Sequence, residues 1–288
     1  MPEAGFAPAA LRMVHISRPV LWINTLGTGV VGMWLTGTLW QWEALPLLVW
    51  LTLPFNLLIY GVNDIFDQDT DALNPRKGSL EGARIRASEV RAIWLAVLIT
   101  NVPFLLWFAV TLPPLSLLWI ALYAGIFVFY SAPPLRFKAR PYLDSISNAA
   151  YAFPLVLVPY ALGDVPVWAA AIGLMAWSAA KHTYDAVQDI DEDHGAGITT
   201  TAVRLGPRGV VAWSGAWWAV STVCFALVNL PVAIVNALIA GALLWVLYRD
   251  PRPETGHRLY RYSIAFPYVA GTAAGMQLVV ALTLGSYT

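Results

Sequence analysis

Two stretches of the 288-residue chain place oxygen donors four residues apart. In the first, Asn63-Asp64-Ile65-Phe66-Asp67-Gln68-Asp69-Thr70-Asp71, positions 63, 67 and 71 recur, with Asp64 three before Asp67. In the second, Asp185, Asp189 and Asp193 recur, with Asp191 and Glu192 between them. On a helix, residues four apart share a face, so each stretch predicts a column of carboxylates. Like charges at that spacing repel and call for a compensating cation. Hard oxygen donors suit magnesium, which keeps several waters and is held by one or two carboxylates plus substrate phosphates. Two columns predict metal ions, read here as two Mg2+, bridging a diphosphate. A single column would read equally well as a solvated acidic loop. Two of equal period, each starting at the end of a membrane span, argue against that.

A diphosphate also needs fixed cations. Arg76 and Lys77 follow the first column, and Arg136, Lys138 and Arg140 lie further on. Arginine forks bind phosphate bidentately and lysine acts as a point charge. Arg84, Arg86, Arg249 and Arg252 read instead as ordinary membrane-flanking cations. Lys181 sits inside an apolar stretch, four residues before Asp185, and an ionisable residue there calls for a partner. Polar residues continue these faces: Asn56, Tyr60, Asn63 and Asp67 in one stretch, Asp144, Asn148 and Tyr151 in another, and Asn24 in a third. Such stripes are expected to face a shared cavity, although hydrogen bonds between helices would leave the same pattern.

The elements that must position these residues follow from composition. Hydrophobic residues make up 58% and charged residues 12%, with a mean hydropathy of +0.62. Soluble domains carry roughly 25% charged residues, so a soluble domain, a disordered chain and a nucleic-acid binder are all disfavoured. Cys224 is the only cysteine, which excludes an internal disulfide or a cysteine-based metal centre. A membrane helix needs about 20 mostly apolar residues. Nine windows qualify: 19–39, 44–62, 90–111, 115–131, 146–162, 165–184, 209–228, 230–247 and 264–285. Sixteen of the 17 Lys and Arg residues then fall on one side, Lys181 being the exception. That bias predicts a cytoplasmic N-terminus and an outside C-terminus in the cell (inner) membrane. Both carboxylate columns fall on the cytoplasmic side, and the reading is one polytopic domain over 1–288.

Asn63-Asp64-xx-Asp67-xxx-Asp71 resembles the first aspartate motif of the UbiA superfamily of intramembrane prenyltransferases. Asp185-xxx-Asp189-xxx-Asp193 is similar to its second. Tyr130-Ser131-Ala132-Pro133-Pro134-Leu135-Arg136-Phe137-Lys138 and Ser17-Arg18-Pro19 resemble two further stretches of that family. The resemblance implies an all-α fold of nine membrane helices around a central cavity. It implies that Asn63, Asp64, Asp67 and Asp71 hold one magnesium ion and Asp185, Asp189 and Asp193 the other. It further implies that Arg136, Lys138 and Lys181 grip the diphosphate of an isoprenyl donor. Asp64, Asp67, Asp185 and Asp189 are the expected catalytic carboxylates.

Breaking an allylic C–O bond develops negative charge on the leaving group, which metals and cations stabilise. The allylic cation left behind needs a dry, aromatic-lined cavity. Trp22, Phe55, Tyr151 and Tyr184 are candidates, and Asn24, Asn56, Tyr60 and Asn148 are expected to line the same space. After the first motif stands Leu73-Asn74-Pro75-Arg76-Lys77-Gly78, where aromatic-acceptor members of the family commonly carry an Arg-Thr…Arg-Pro stretch. The departure most resembles the carotenoid branch, the lycopene elongases, which add dimethylallyl units to an acyclic carotenoid. Polyprenyl transfer to an aromatic ring is the nearest alternative. A transporter generally shows related halves, which nine spans resist.

Overall fold

The computed structural model describes residues 6–68 and 85–285, so Asp71, Arg76 and Lys77 lie outside the described residues. Every regular element among the described residues is helical, because backbone polar groups in a bilayer must be satisfied within the segment. The helices are α1 (Phe6–Ile16), α2 (Leu26–Leu35), α3 (Leu45–Trp50), α4 (Leu53–Phe66), α5 (Val90–Thr111) and α6 (Pro114–Ser131). They continue with α7 (Leu143–Ile146), α8 (Pro154–Ala161), α9 (Trp168–Asp185), α10 (Ile190–Gly195), α11 (Thr201–Ala226), α12 (Leu230–Arg249) and α13 (Pro253–Thr283). Short 3-10 turns, among them Pro19–Asn24, Phe137–Ala139, Ser147–Ala152 and Ala186–Asp189, extend or join them.

Among the described residues six stretches are long and apolar enough to cross a membrane: Trp42–Phe66, Ala87–Thr111, Pro114–Ser131, Thr201–Ala226, Leu230–Arg249 and Pro253–Thr283. The chain is thus a multi-pass membrane protein. These six match the expected windows at 44–62, 90–111, 115–131, 209–228, 230–247 and 264–285. The other three differ. The window 19–39 becomes a shorter apolar helix, Pro19–Leu35. The window 165–184 becomes α9, whose last turn carries Lys181, His182 and Asp185. The window 146–162 is broken into the Ser147–Ala152 turn and α8, with Pro154 opening the new helix, because proline has no N–H to continue the preceding hydrogen-bond ladder and suits a helix start. The last helix starts eleven residues earlier than its window, since its first turns are polar and Pro253 suits a helix start.

The described residues form two compact units, one from 1–136 with 153–166 and the other from 137–152 with 167–288. An aromatic core fills the first: Trp50, Phe55, Phe108 and Tyr123 are fully buried, with the Phe55 and Tyr123 rings 4.2 Å apart. The break between α3 and α4 leaves the Leu51 carbonyl to be satisfied. Thr25 Oγ1 (2.7 Å) and Asn56 Nδ2 (2.9 Å) both donate to it. Asn56, expected to face a cavity, is therefore buried and occupied at this break. Helix α2 crosses α8 at Gly32, where a Cβ would stand 3.3 Å from Leu155 Cα and 3.4 Å from the Pro154 carbonyl oxygen.

In the second unit α9, α11, α12 and α13 surround Tyr184, Trp218, Leu243, Leu247 and Phe266. Tyr184, also expected in the cavity, is buried, donating its hydroxyl to the Leu243 carbonyl at 3.0 Å and packing on Trp218. Its ring is core. At the Gly32 crossing the neighbours are backbone atoms that cannot rotate aside, so Gly32→Leu is expected to destabilise the detergent-purified protein by about 1–3 kcal/mol. A thermal melt checks this, and an unchanged midpoint would mean the crossing is not tight.

Candidate active site

In the first unit, α4 delivers Asn63 and Asp64 and ends at Phe66, with Asp67 as its cap residue at φ −105° and ψ 3°. Among the described residues the regular helix thus ends between Asp64 and Asp67. Asp64 is fully buried, and Arg18 Nη2 donates to its Oδ1 at 2.7 Å. The Arg18 guanidinium also lies 4.4 Å over the Tyr60 ring, a favourable cation–π position. Arg18 adopts φ 52°, a left-handed conformation that costs a non-glycine residue free energy and persists where its surroundings fix it. Asn63 Nδ2 donates to Asp67 Oδ2 and to Ser131 Oγ, both at 2.8 Å. Ser131 belongs to the Tyr130–Lys138 stretch, so two motifs distant in sequence meet at Asn63. Arg136, from the same stretch, adopts φ 40° and donates its backbone N–H to the Ala132 carbonyl.

In the second unit the expected column is divided among three elements. Asp185 closes α9, Asp189 ends the Ala186–Asp189 3-10 turn, and Asp193 lies in α10. Asp185 is held on both oxygens: Lys181 Nζ donates to Oδ2 and Ser263 Oγ, from α13, to Oδ1. Lys181, expected on the diphosphate, thus engages Asp185, four residues away on its own helix. Gly256 of α13 lets that helix approach the turn. A Cβ there would stand 2.9 Å from Val187 Cγ1 and 3.1 Å from the Gln188 N.

Asp193 accepts from Thr200 Oγ1 at 3.3 Å. Burial and the nearby Asp189 carboxylate push the Asp193 carboxyl up to about 6, against the lowering effect of the Thr200 bond. Burial also pushes the Lys138 ammonium down to about 8, with the Asp193 carboxylate pulling it the other way. Lys138 and Asp193 are therefore within electrostatic reach of each other.

Asp144, expected to continue a cavity stripe, is fully buried. It accepts from Thr201 N at 2.9 Å and from Thr201 Oγ1. Asn148, expected in the cavity, donates to the Asp144 carbonyl at 2.7 Å. Tyr151 and Asn24 are half-buried, and Trp22 donates its indole N–H to the Ser17 carbonyl.

The donor chemistry fits a hard divalent cation. Carboxylates that raise one another's pKa, as Asp189 does Asp193, are a set that a metal would neutralise. Among the described residues no three His, Cys, Asp or Glu side chains gather as a cage. Magnesium does not need one, since waters and substrate phosphates supply the remaining ligands. Sequence reasoning passed over Ser263 and Thr201, while Arg18 and Asp144 carried a signal, the one in Ser17-Arg18-Pro19 and the other in a polar stripe, without their partners. Thr201 and Ser263 are partners at separations of 57 and 78 residues.

Fold and site define a multi-pass helical membrane protein that presents hard-oxygen donors and cations suited to a metal-bound phosphate. The chain belongs to the UbiA prenyltransferase family, whose model matches residues 25–281, and it is a prenyltransferase. A lycopene elongase/hydratase from Haloferax volcanii is 35% identical over 253 residues, covering 83% of each chain. A 4-hydroxybenzoate octaprenyltransferase from Paraburkholderia xenovorans is 28% identical, over 89% of this chain and 86% of its own. Among solved structures, a UbiA homolog from Archaeoglobus fulgidus bound to DMAPP and Mg2+ superposes with a TM-score of 0.67. It is 22% identical and covers 90% of this chain and 99% of its own, a likeness of fold.

The Arg18–Asp64 pair sets an expectation for stability. Arg18→Met removes the cation beside a fully buried carboxylate and is expected to cost roughly 3–5 kcal/mol. Adding Asp64→Asn should recover part of that loss. Thermal melts of the two variants check it, and equal destabilisation by single and double variants would contradict it.

Proposed function

We propose that this prenyltransferase ionises dimethylallyl diphosphate and joins the five-carbon group to an acyclic carotenoid such as lycopene. Asn63, Asp64, Asp67 and Asp71 hold one Mg2+ ion, and Asp185, Asp189 and Asp193 hold a second. When bound, magnesium would supply positive charge to offset the negative charge developing on the diphosphate leaving group. Arg136, Lys138, Arg76 and Lys77 bind the diphosphate oxygens, while Lys181 and Ser263 fix the orientation of Asp185. The acceptor's terminal alkene then attacks the allylic cation. A proton is lost to a base, or water adds to the new cation. The whole chain acts as one catalytic domain of nine spans in the cell membrane, with its N-terminus in the cytoplasm and its C-terminus outside. The lopsided distribution of cations supports that orientation, and a family match reaching from residue 25 to 281 supports the single domain.

One observation carries the choice of acceptor: 35% identity, over most of both chains, to a relative named lycopene elongase/hydratase. The 28% identical octaprenyltransferase keeps transfer to an aromatic ring as the second reading. Membranes supplied with labelled dimethylallyl diphosphate and lycopene should yield longer carotenoids. The same membranes given geranylgeranyl diphosphate and a phenolic acid should not form product, and the reverse result would select the aromatic reading. Asp67→Ala and Asp189→Ala should each lower turnover by about 10^3-fold without loss of membrane insertion. EDTA should do the same to the native protein, reversibly on adding Mg2+. Undiminished activity in either case would remove the metal–diphosphate mechanism.

Lys138 adds a pH dependence. Burial disfavours its charged form, so the ammonium that would bind diphosphate is lost as pH rises through about 8. The kcat/KM for the donor should therefore fall above that pH, since this ratio reports groups of the free enzyme. Lys138→Arg keeps its charge and should move the descending limb upward. A limb unmoved by that change would assign it to another group.

A further inference from the structure

Two arms of hydrogen bonds lead away from Asp144. Its carboxylate, fully buried, takes both donors of one residue, Thr201 N and Thr201 Oγ1. The Thr201 hydroxyl oxygen in turn accepts the Tyr142 backbone N–H at 2.7 Å. Tyr142 adopts φ 70°, a conformation that a side-chain-bearing residue keeps only when its surroundings hold it.

From Tyr142 the chain runs back through a tight turn to Lys138. Asp144 N donates to the Arg140 carbonyl and Arg140 N to the Phe137 carbonyl, both at 3.0 Å. From Thr201 it runs to Thr200, the cap of α11, which accepts from Val203 N and donates to Asp193 Oδ2. The two arms end at Lys138 and Asp193, and the Asp193 carboxylate raises the Lys138 pKa against the lowering effect of burial. His182 Nε2 stands 4.0 Å from the second Asp144 oxygen and adds a polar neighbour from α9.

A carboxylate buried this deeply is costly unless it is hydrogen-bonded, yet Asp144 belongs to neither aspartate motif. The bonds it makes join the turn bearing Lys138 to the helix start that holds Asp193. We propose that Asp144 is a positioning residue: by clasping Thr201 it fixes the spacing of Lys138 and Asp193, and thereby the affinity for a metal-bound diphosphate. This rests on the reading of Asp193 and Lys138 as metal and diphosphate ligands given above.

The test uses the full-length protein in detergent, with Mn2+ and inorganic pyrophosphate as the probe, read by electron paramagnetic resonance, beside donor kinetics. Asp144→Asn and Thr201→Val each remove one of the two bonds. Each should weaken pyrophosphate-dependent Mn2+ binding about tenfold and raise the donor KM by a similar factor, with kcat within about threefold. Thr201→Ser keeps both donors and should restore binding relative to Thr201→Val. If Asp144→Asn does not fold, the comparison of Thr201→Val with Thr201→Ser decides alone. Wild-type binding in Thr201→Val, or a fall in kcat at unchanged KM, would overturn the positioning role. An Asp189→Asn control separates the two claims: if it too binds like wild type, the metal reading itself fails.

Discussion

Four carboxylates of the two motifs are each held by a donor from elsewhere in their own unit. Arg18 holds Asp64, Asn63 holds Asp67, Lys181 and Ser263 hold Asp185, and Thr200 holds Asp193. A charge at the edge of a bilayer must be compensated or it will protonate or leave its place. Much of the local architecture follows from that constraint: a left-handed Arg18, a serine on α13 and a threonine cap. These donors keep negative charge in place and leave further carboxylate lone pairs as candidate ligands for a cation.

The same repulsion bears on how the helices end. A continuous helix through Asp185, Asp189 and Asp193 would stack like charges on one face. The chain instead passes from α9 into a 3-10 turn and then into the short helix α10. Helix α4 stops just before Asp67. Gly256 contributes from the outside, since only a residue without Cβ lets α13 lie against the Val187–Gln188 backbone. Among the described residues each motif thus contains the end of a helix, and neighbouring elements hold its carboxylates.

Periodicity made much of this legible. The apolar windows found the six long helices, and four-residue spacing found the Lys181–Asp185 pair. It failed where tertiary partners decide. Asn56 reads as a cavity residue as a polar group on an apolar helix and Tyr184 as an aromatic face for the allylic cation, yet one serves the α3–α4 break and the other packs in the core. Asp144 read as part of a stripe, and its partner Thr201 is 57 residues away. Pro154 broke an apolar run that hydropathy alone reads as one span. Local chemistry showed which residues could act, while long-range contacts determined which of them are occupied in holding others.

The account stands on both aspartate sets binding metal that carries the donor's diphosphate. Electron–nuclear double resonance of Mn2+ with an unreactive thiolo analogue of dimethylallyl diphosphate, detecting 31P, measures that directly. Two Mn2+ ions per protein with 31P couplings are predicted, with one ion lost in Asp67→Asn and the other in Asp189→Asn. Unchanged stoichiometry and couplings in both variants would contradict it.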